Sequence, residues 1–85
     1  MTTKKYQPPK SISVDHQEFL NKVGCKLKEV REGRGVSIYK LCKNSGVSRT
    51  GYYQIEAGIV YFNMSSLLNI LEYHQISPEN FFRDL

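Results

Sequence analysis

Apolar residues recur at helical spacing from about Val14 to the end of the chain. Steps of three and four residues place such positions on one buried face of an α-helix. Ser13 is suited to cap the start of a first helix, and Gly33 and Gly35 are suited to end it. The pattern therefore predicts a long first helix. Its buried stripe consists of Leu20, Val23, Leu27 and Val30.

Four shorter helices are predicted after the first, and each follows a residue that favours helix starts, namely Ser37, Ser48, Asn63 and Ser77. Gly46 suits the turn between the second and third helices, where the backbone needs a positive φ, and Gly58 suits the end of the third. Because no segment alternates as a β-strand does, we predict an all-α fold of five helices around one core. The apolar positions of these helices are Ile38, Leu41, Cys42, Tyr52, Ile55, Met64, Leu67, Leu68, Ile70, Leu71, Phe81, Phe82 and Leu85.

The composition is that of one small folded domain. The 85 residues are 40% hydrophobic and 24% charged, which leaves room for one modest core. No apolar stretch approaches the ~20 residues that span a bilayer, and the first residues lack the apolar segment of a signal peptide. We expect a cytoplasmic protein with no membrane partner, with a flexible basic arm over residues 1–13 and one domain over residues 14–85. In the arm, Lys4, Lys5 and Lys10 either contact phosphates or make no specific contact.

Positive charge is concentrated in the middle of the chain. The net charge is +4, but residues 22–49 carry eight basic and two acidic residues, for a net charge of +6. Residues 50–85 carry a net charge of −3. A surface that faces DNA phosphates needs such a basic segment, although a solvated helix face also collects lysines.

The pattern contains no residues arranged for catalysis or metal binding. Cys25 and Cys42 lie 17 positions apart without the paired spacing of zinc or redox motifs. Each is therefore expected to act as a small apolar residue of a helix. His16 and His74 are isolated from any serine or cysteine that could act as a nucleophile. We predict that the protein is not an enzyme and uses no metal and no cofactor.

Residues 37–58 indicate a helix-turn-helix, in which two short helices flank a tight turn. The second helix of such a unit lies in the major groove of DNA, and its first residues contact base edges. Arginine binds guanine and glutamine binds adenine through paired hydrogen bonds, whereas lysines and the N–H groups of a helix start hold phosphates. The predicted base-contacting residues are Arg49, Thr50, Tyr53 and Gln54. The predicted phosphate-contacting residues are Ser48, Lys40 and Lys43.

A set of residues at characteristic spacing extends beyond this unit: Gly24, Leu27, Arg31, Ser37, Leu41, Cys42, Gly46, Val47, Ser48, Tyr52, Ile55, Glu56 and Gly58. Through them the segment from Val23 to Phe82 resembles the Cro/phage-repressor type (XRE-like) helix-turn-helix family, which has the lambda-repressor-like fold. The resemblance implies a partly buried ion pair of Arg31 with Glu56 that joins the first helix to the third. The alternative is two solvated charges.

Four features depart from the family pattern. Ile38 replaces a glutamine that often contacts phosphate and braces the recognition helix, and His74 replaces a core leucine. We expect His74 to be a neutral, hydrogen-bonded core residue rather than a pH switch. Gly51 is expected either to give Tyr52 room to pack or to let the backbone approach DNA. The loop of residues 59–62 is apolar where the family has a basic loop, so part of it is expected to pack inward and part to form a subunit interface.

The resemblance implies a sequence-specific, DNA-binding transcriptional regulator. Most family members bind as symmetric dimers to two half-sites about one helical turn, ~34 Å, apart. We therefore predict a homodimeric repressor that occupies an operator on double-stranded DNA. Candidate dimer surfaces are the Tyr61–Phe62 loop, the Phe81–Leu85 end, and the first helix around Phe19 and Leu20. The alternative is a protein-interaction module on the same fold, such as an antitoxin that binds a partner toxin through Tyr61 and Phe62.

Overall fold

The computed structural model describes residues 12–83 and residue 85, and these residues form five α-helices without a strand. The prediction of an all-α fold is therefore confirmed. The predicted arm of residues 1–13 lies outside the described residues except for Ile12 and Ser13. None of the described helices is long and apolar enough to cross a membrane. The helices are α1 (Val14–Gly33), α2 (Ile38–Ser45), α3 (Arg49–Ala57), α4 (Met64–His74) and α5 (Pro78–Arg83).

Every helix begins directly after the residue predicted to cap it. A capping side chain accepts a hydrogen bond from a backbone N–H of the first turn, which has no acceptor within the helix. At the other end, α2 stops at Gly46, where φ is 80° and a side chain would be strained. These local interactions set the helix bounds. The capping residues are Ser13, Ser37, Ser48, Asn63 and Ser77.

The core forms where α1 packs against α3 and where α2 packs against α4. Tyr52 of α3 and Phe81 of α5 are its largest fully buried side chains, and such burial stabilises the fold by roughly 1.5–3 kcal/mol for a large apolar side chain. Because α3 also contacts α2, it is held from two sides. The other core residues are Val23, Leu27, Leu41, Cys42, Val47, Ile55, Leu67, Ile70 and Leu71.

The two cysteines differ in their environment. Cys42 is buried, and burial raises the pKa of its thiol, so it acts as a small apolar residue of the core as predicted. Cys25 is exposed, so the same prediction for Cys25 was wrong. It follows the buried Gly24 directly, and one residue turns a helix by about 100°, which carries its side chain away from the core. Among the residues that the structure describes, no cluster of three potential metal ligands occurs.

His74 lies near the end of α4 and is only 6% exposed. Its Nδ1 is 2.7 Å from Nη1 of Arg34, and because a guanidinium only donates, this nitrogen accepts and the imidazole is neutral. Burial, together with the positive charges of Arg34 and Arg31, lowers the pKa of His74. His74 is thus the neutral, hydrogen-bonded core residue that the sequence predicts.

We expect the stability of the protein to fall as the pH is lowered through the ordinary histidine pKa of about 6.5. The unfolded chain takes up a proton at His74 in this range, whereas the folded chain, in which the pKa of His74 is lower, does not. Protons therefore favour the unfolded state. The contribution of the neutral His74 to the free energy of unfolding is complete above this pH range and lost below it. Thermal unfolding between about pH 8 and about pH 5 measures the effect.

The control for this prediction is His74→Leu, which fills the same buried position with an apolar side chain that cannot titrate. The variant should lose less stability than the original protein over the same pH range. Contributions from residues that both proteins share cancel in the comparison. An identical pH dependence of the two melting temperatures would contradict the prediction.

Candidate nucleic-acid interface

The turn between α2 and α3 is fixed by hydrogen bonds and by one buried side chain. The Gly46 N–H donates to the Cys42 carbonyl at 2.9 Å, which closes α2. The Ser48 hydroxyl accepts from the Gly51 N–H at 3.0 Å, which opens α3. Between them, Val47 is buried in the core. The start of α3 is therefore held in a defined position beside α2, as a helix-turn-helix requires.

The residues predicted to contact bases lie along the first two turns of α3. Arg49 and Thr50 are exposed at the helix start, and Tyr53 is 57% exposed one turn further on. Gln54 is half-buried and lines a groove beside the following loop. Three of the four side chains are thus exposed to solvent, and Gln54 lies at the edge of this surface. The predicted phosphate-contacting residues Ser48, Lys40 and Lys43 are exposed as well.

Tyr39, which the sequence pattern did not single out, connects two of these predicted residues. The Tyr39 ring centroid is 5.9 Å from Nζ of Lys43 and 5.9 Å from Cζ of Arg49, a distance at which a cation is attracted to the ring face. The signal for the first contact is present in the sequence, since Tyr39 and Lys43 are four residues apart on a helix. The contact with Arg49 depends on the angle between α2 and α3 and has no local signal.

Arg31 of α1 and Glu56 of α3 form a bidentate ion pair. Nε of Arg31 donates to Oε2 of Glu56 at 2.8 Å, and Nη2 donates to Oε1 at 3.3 Å. The two side chains are only 13% and 9% exposed. Hydrogen bonding to Glu56 raises the pKa of Arg31 although burial opposes the charge. The pair joins the last turn of α3 to α1, at the end opposite the predicted base-contacting residues.

α1 and α3 approach each other closely at Gly24. A Cβ atom at this position would overlap the carbonyl of Glu56 and would lie 2.6 Å from the carbonyl oxygen of Ile55. Since both contacts are with backbone, no side-chain rotation could relieve them. A glycine is therefore required for α3 to pack at this distance from α1.

Gly51 donates to the cap of α3. A Cβ atom there would lie 2.9 Å from Oγ of Ser48, the hydroxyl that accepts from the Gly51 N–H. Ser37 and Ser77 accept the same kind of bond from Lys40 and Asn80, which carry a Cβ, so the cap alone does not require a glycine at this position.

The apolar loop of residues 59–62 divides between the core and the surface. Val60 and Phe62 pack against the core, as expected for part of the loop. Ile59 and Tyr61 are 51% and 50% exposed. An open groove of about 830 Å³ lies between this loop and the start of α3.

The first turns of α1 hold this loop in place. Nε2 of Gln17 donates to the carbonyl of Gly58 at 2.6 Å, and Nδ1 of His16 lies 2.7 Å from the hydroxyl of Tyr61. These contacts span 41 and 45 residues along the chain. His16, isolated in the sequence, therefore has a partner in the folded chain, the Tyr61 side chain.

Two short helices joined by a capped turn, the second exposed along its first turns beside basic side chains, define a DNA-binding helix-turn-helix protein. The chain matches the model of the Helix-turn-helix family (HTH_3) over residues 27–81 and belongs to that family. The predicted resemblance to XRE-like helix-turn-helix proteins is thus confirmed. Family membership identifies the chain as a DNA-binding regulator of transcription.

A solved structure supports the same assignment of the fold. The restriction-modification controller protein C.AhdI from Aeromonas hydrophila superposes on this chain with a TM-score of 0.72 and 28% sequence identity. The match covers 76% of this chain and 98% of that chain. No curated protein sequence matches the chain significantly.

Proposed function

We propose that this protein represses transcription by occupying an operator as a homodimer, with α3 in the major groove. The observation that supports this most is the exposure of Arg49, Thr50 and Tyr53 on the first turns of a helix whose other end is fixed by an ion pair. One copy offers only these few base-contacting side chains, which is too little for tight specific binding. Two copies related by a two-fold axis would contact inverted half-sites ~34 Å apart.

The surfaces predicted for the dimer contact differ in accessibility. Leu20 and Phe81 are buried and are therefore unavailable to a second copy. Phe19 stacks on Phe82 with ring centroids 6.2 Å apart, yet Phe19 remains 44% exposed. Tyr61 is half exposed. Within the proposal, the Phe19–Phe82 stack and Tyr61 are therefore the accessible candidates for the dimer contact.

The basic residues of α2 supply the proposed contacts to phosphates. Lys40 and Lys43 are exposed, and the first turn of α3 contains no acidic residue that would repel a phosphate from its N–H groups. Phosphate contacts release counterions from DNA, so the affinity should fall steeply as salt is added.

The alternative role as a protein-interaction module has less support. Phe62 packs against the core, so of the two residues predicted to bind a partner only Tyr61 is exposed. The similarity to a protein described as a restriction-modification controller supports a regulatory role rather than a toxin-binding one. Salt distinguishes the two roles, because an apolar protein interface would not weaken as salt is added.

Selection from a random duplex library with the purified chain tests the proposed function. Enrichment of an inverted repeat with half-site centres about 10 base pairs apart is expected, since that spacing places both recognition helices on one side of DNA. When this site is inserted into the promoter of a reporter gene, expression of the reporter should fall in the presence of the protein. A library that stays unselected at low salt would contradict the proposal.

Arg49→Ala is expected to remove the preference for one base pair in each half-site. A bidentate arginine contact to guanine discriminates by about 1–3 kcal/mol, and alanine cannot make it. Affinities for the selected site and for single-base variants of it, measured at one salt concentration, provide the test. Arg83→Ala, on α5, is the matched control and should keep the preference. Unchanged selectivity in Arg49→Ala would show that Arg49 does not contact a base.

A further inference from the structure

We propose that Tyr39 is a positioning residue for DNA recognition, because its aromatic ring orders the guanidinium of Arg49 before DNA arrives. The inference rests on the proposed function, since it concerns how Arg49 reaches a base. Tyr39 lies in the first turn of α2, and Arg49 is the first residue of α3. The Arg49 guanidinium carbon lies over the Tyr39 ring, 5.9 Å from its centroid.

Burial does not explain an aromatic residue at this position. Tyr39 is 59% exposed, so most of its surface remains in water. Its ring contacts two cations, since Nζ of Lys43 also lies 5.9 Å from the centroid. The negative face of an aromatic ring attracts both charges. Through its contact with Arg49, Tyr39 thus connects the two helices of the helix-turn-helix.

The Arg49 side chain needs such a partner because its surroundings are electrostatically unfavourable. It occupies the first position of α3, where the helix dipole is positive and repels a cation. Neither α2 nor α3 has an acidic residue in its first turn. Among the described residues, the Arg49 guanidinium makes no hydrogen bond and no ion pair, and the Tyr39 ring is its one ring contact. Without the ring, this long side chain would sample many rotamers in water.

A ring contact suits base recognition better than a hydrogen bond would. A guanidinium held over an aromatic face keeps the N–H groups of its edge free, and those N–H groups bind N7 and O6 of guanine. Restricting the rotamers beforehand lowers the entropy lost on binding. Ile38, which stands where the family often has a bracing glutamine, is apolar and half-buried and cannot hold Arg49 by a hydrogen bond. The next residue, Tyr39, supplies the brace instead.

Two substitutions of Tyr39 test this assignment. Tyr39→Leu removes the ring, and Tyr39→Phe keeps the ring without the hydroxyl. Discrimination is measured as the ratio of two affinities, one for the selected duplex and one for the duplex changed at the base pair that Arg49→Ala no longer distinguishes. Tyr39→Leu should reduce this ratio about two- to fivefold, the range of an exposed cation–π contact. Tyr39→Phe should discriminate as the original protein does. Both variants should stay folded, and the melting temperature of Tyr39→Leu should fall by no more than about 8 °C, because the side chain is exposed and one weak ring contact is lost.

The double variant Tyr39→Leu/Arg49→Ala separates positioning from a general effect on binding. If Tyr39 acts through Arg49, the double variant should discriminate at that base pair no worse than Arg49→Ala alone. Full discrimination by Tyr39→Leu, or equal losses in Tyr39→Leu and Tyr39→Phe, would overturn the inference while leaving the proposed function intact. A loss of discrimination that accompanies a fall of clearly more than about 8 °C in the melting temperature would also overturn it, because the fold itself would then be disturbed. Failure of the original protein to select any duplex would overturn both.

Discussion

Glu56→Gln is expected to lower the free energy of unfolding by about 3–5 kcal/mol, a large part of what a domain of this size possesses. The substitution keeps the shape of the side chain but leaves the Arg31 guanidinium, 13% exposed, without its counter-charge. The bidentate geometry, with hydrogen bonds of 2.8 Å and 3.3 Å, is lost together with the charge attraction. Urea unfolding followed by circular dichroism measures the change.

Glu32→Gln is the matched control because Glu32 also lies near Arg31. Its carboxylate is 3.9 Å from Nη2 of Arg31, but the Glu32 side chain is 59% exposed. Water screens such a pair, so its loss should change stability by no more than about 1 kcal/mol. Equal unfolding midpoints for the Glu56 and Glu32 variants would mean that the buried pair contributes no more than a surface contact.

Gly24→Ala is expected to destabilise the fold by at least about 1–3 kcal/mol, the usual cost of forcing extra volume into a packed interior. The new methyl group would overlap the carbonyls of Ile55 and Glu56, which belong to the backbone of α3. Relief requires that α3 move away from α1, which would also disturb the ion pair made by Glu56. The melting temperature should therefore fall, and the affinity for the selected operator should fall with it.

The same substitution at Gly33 controls for the intrinsic effect of alanine in a helix. Gly33 ends α1, and a Cβ there would meet no atom within 4 Å. Because alanine favours helices over glycine by up to about 1 kcal/mol, Gly33→Ala should be neutral or slightly stabilising. If Gly24→Ala unfolded at the same temperature as Gly33→Ala, close packing of α1 and α3 would not explain Gly24.

These effects divide the recognition helix into two functional halves. Its last turn is anchored to α1 by Glu56 and by the close contact at Gly24, so changes there act on stability. Its first turn, with Arg49 beside Tyr39, faces outward, so changes there should act on DNA selectivity at constant stability. A rigid anchor at one end and exposed side chains at the other are what a base-contacting helix needs, because small displacements of the helix break hydrogen bonds to bases.

The positions and bounds of the helices could be predicted from the sequence because they depend on short-range interactions. The hydroxyl of Ser37 reaches the N–H of Lys40, three residues away, and Ser48 reaches Gly51 in the same way. The helical spacing of apolar residues likewise identified most of the core. The ion pair of Arg31 with Glu56, which lie 25 residues apart, could not be predicted from the residues alone. That expectation came from the family resemblance.

Only the tertiary structure determined the contacts that depend on how the helices pack against each other. It placed Cys25 outside the core, Gly24 against the backbone of α3 and Arg49 over the ring of Tyr39. It also joined His16 to Tyr61 across 45 residues. A cap or a periodic stripe is encoded within one or two turns of chain, whereas a contact between helices depends on their separation and crossing angle. That geometry follows from the packing of the whole core, so these contacts had no local signature in the sequence.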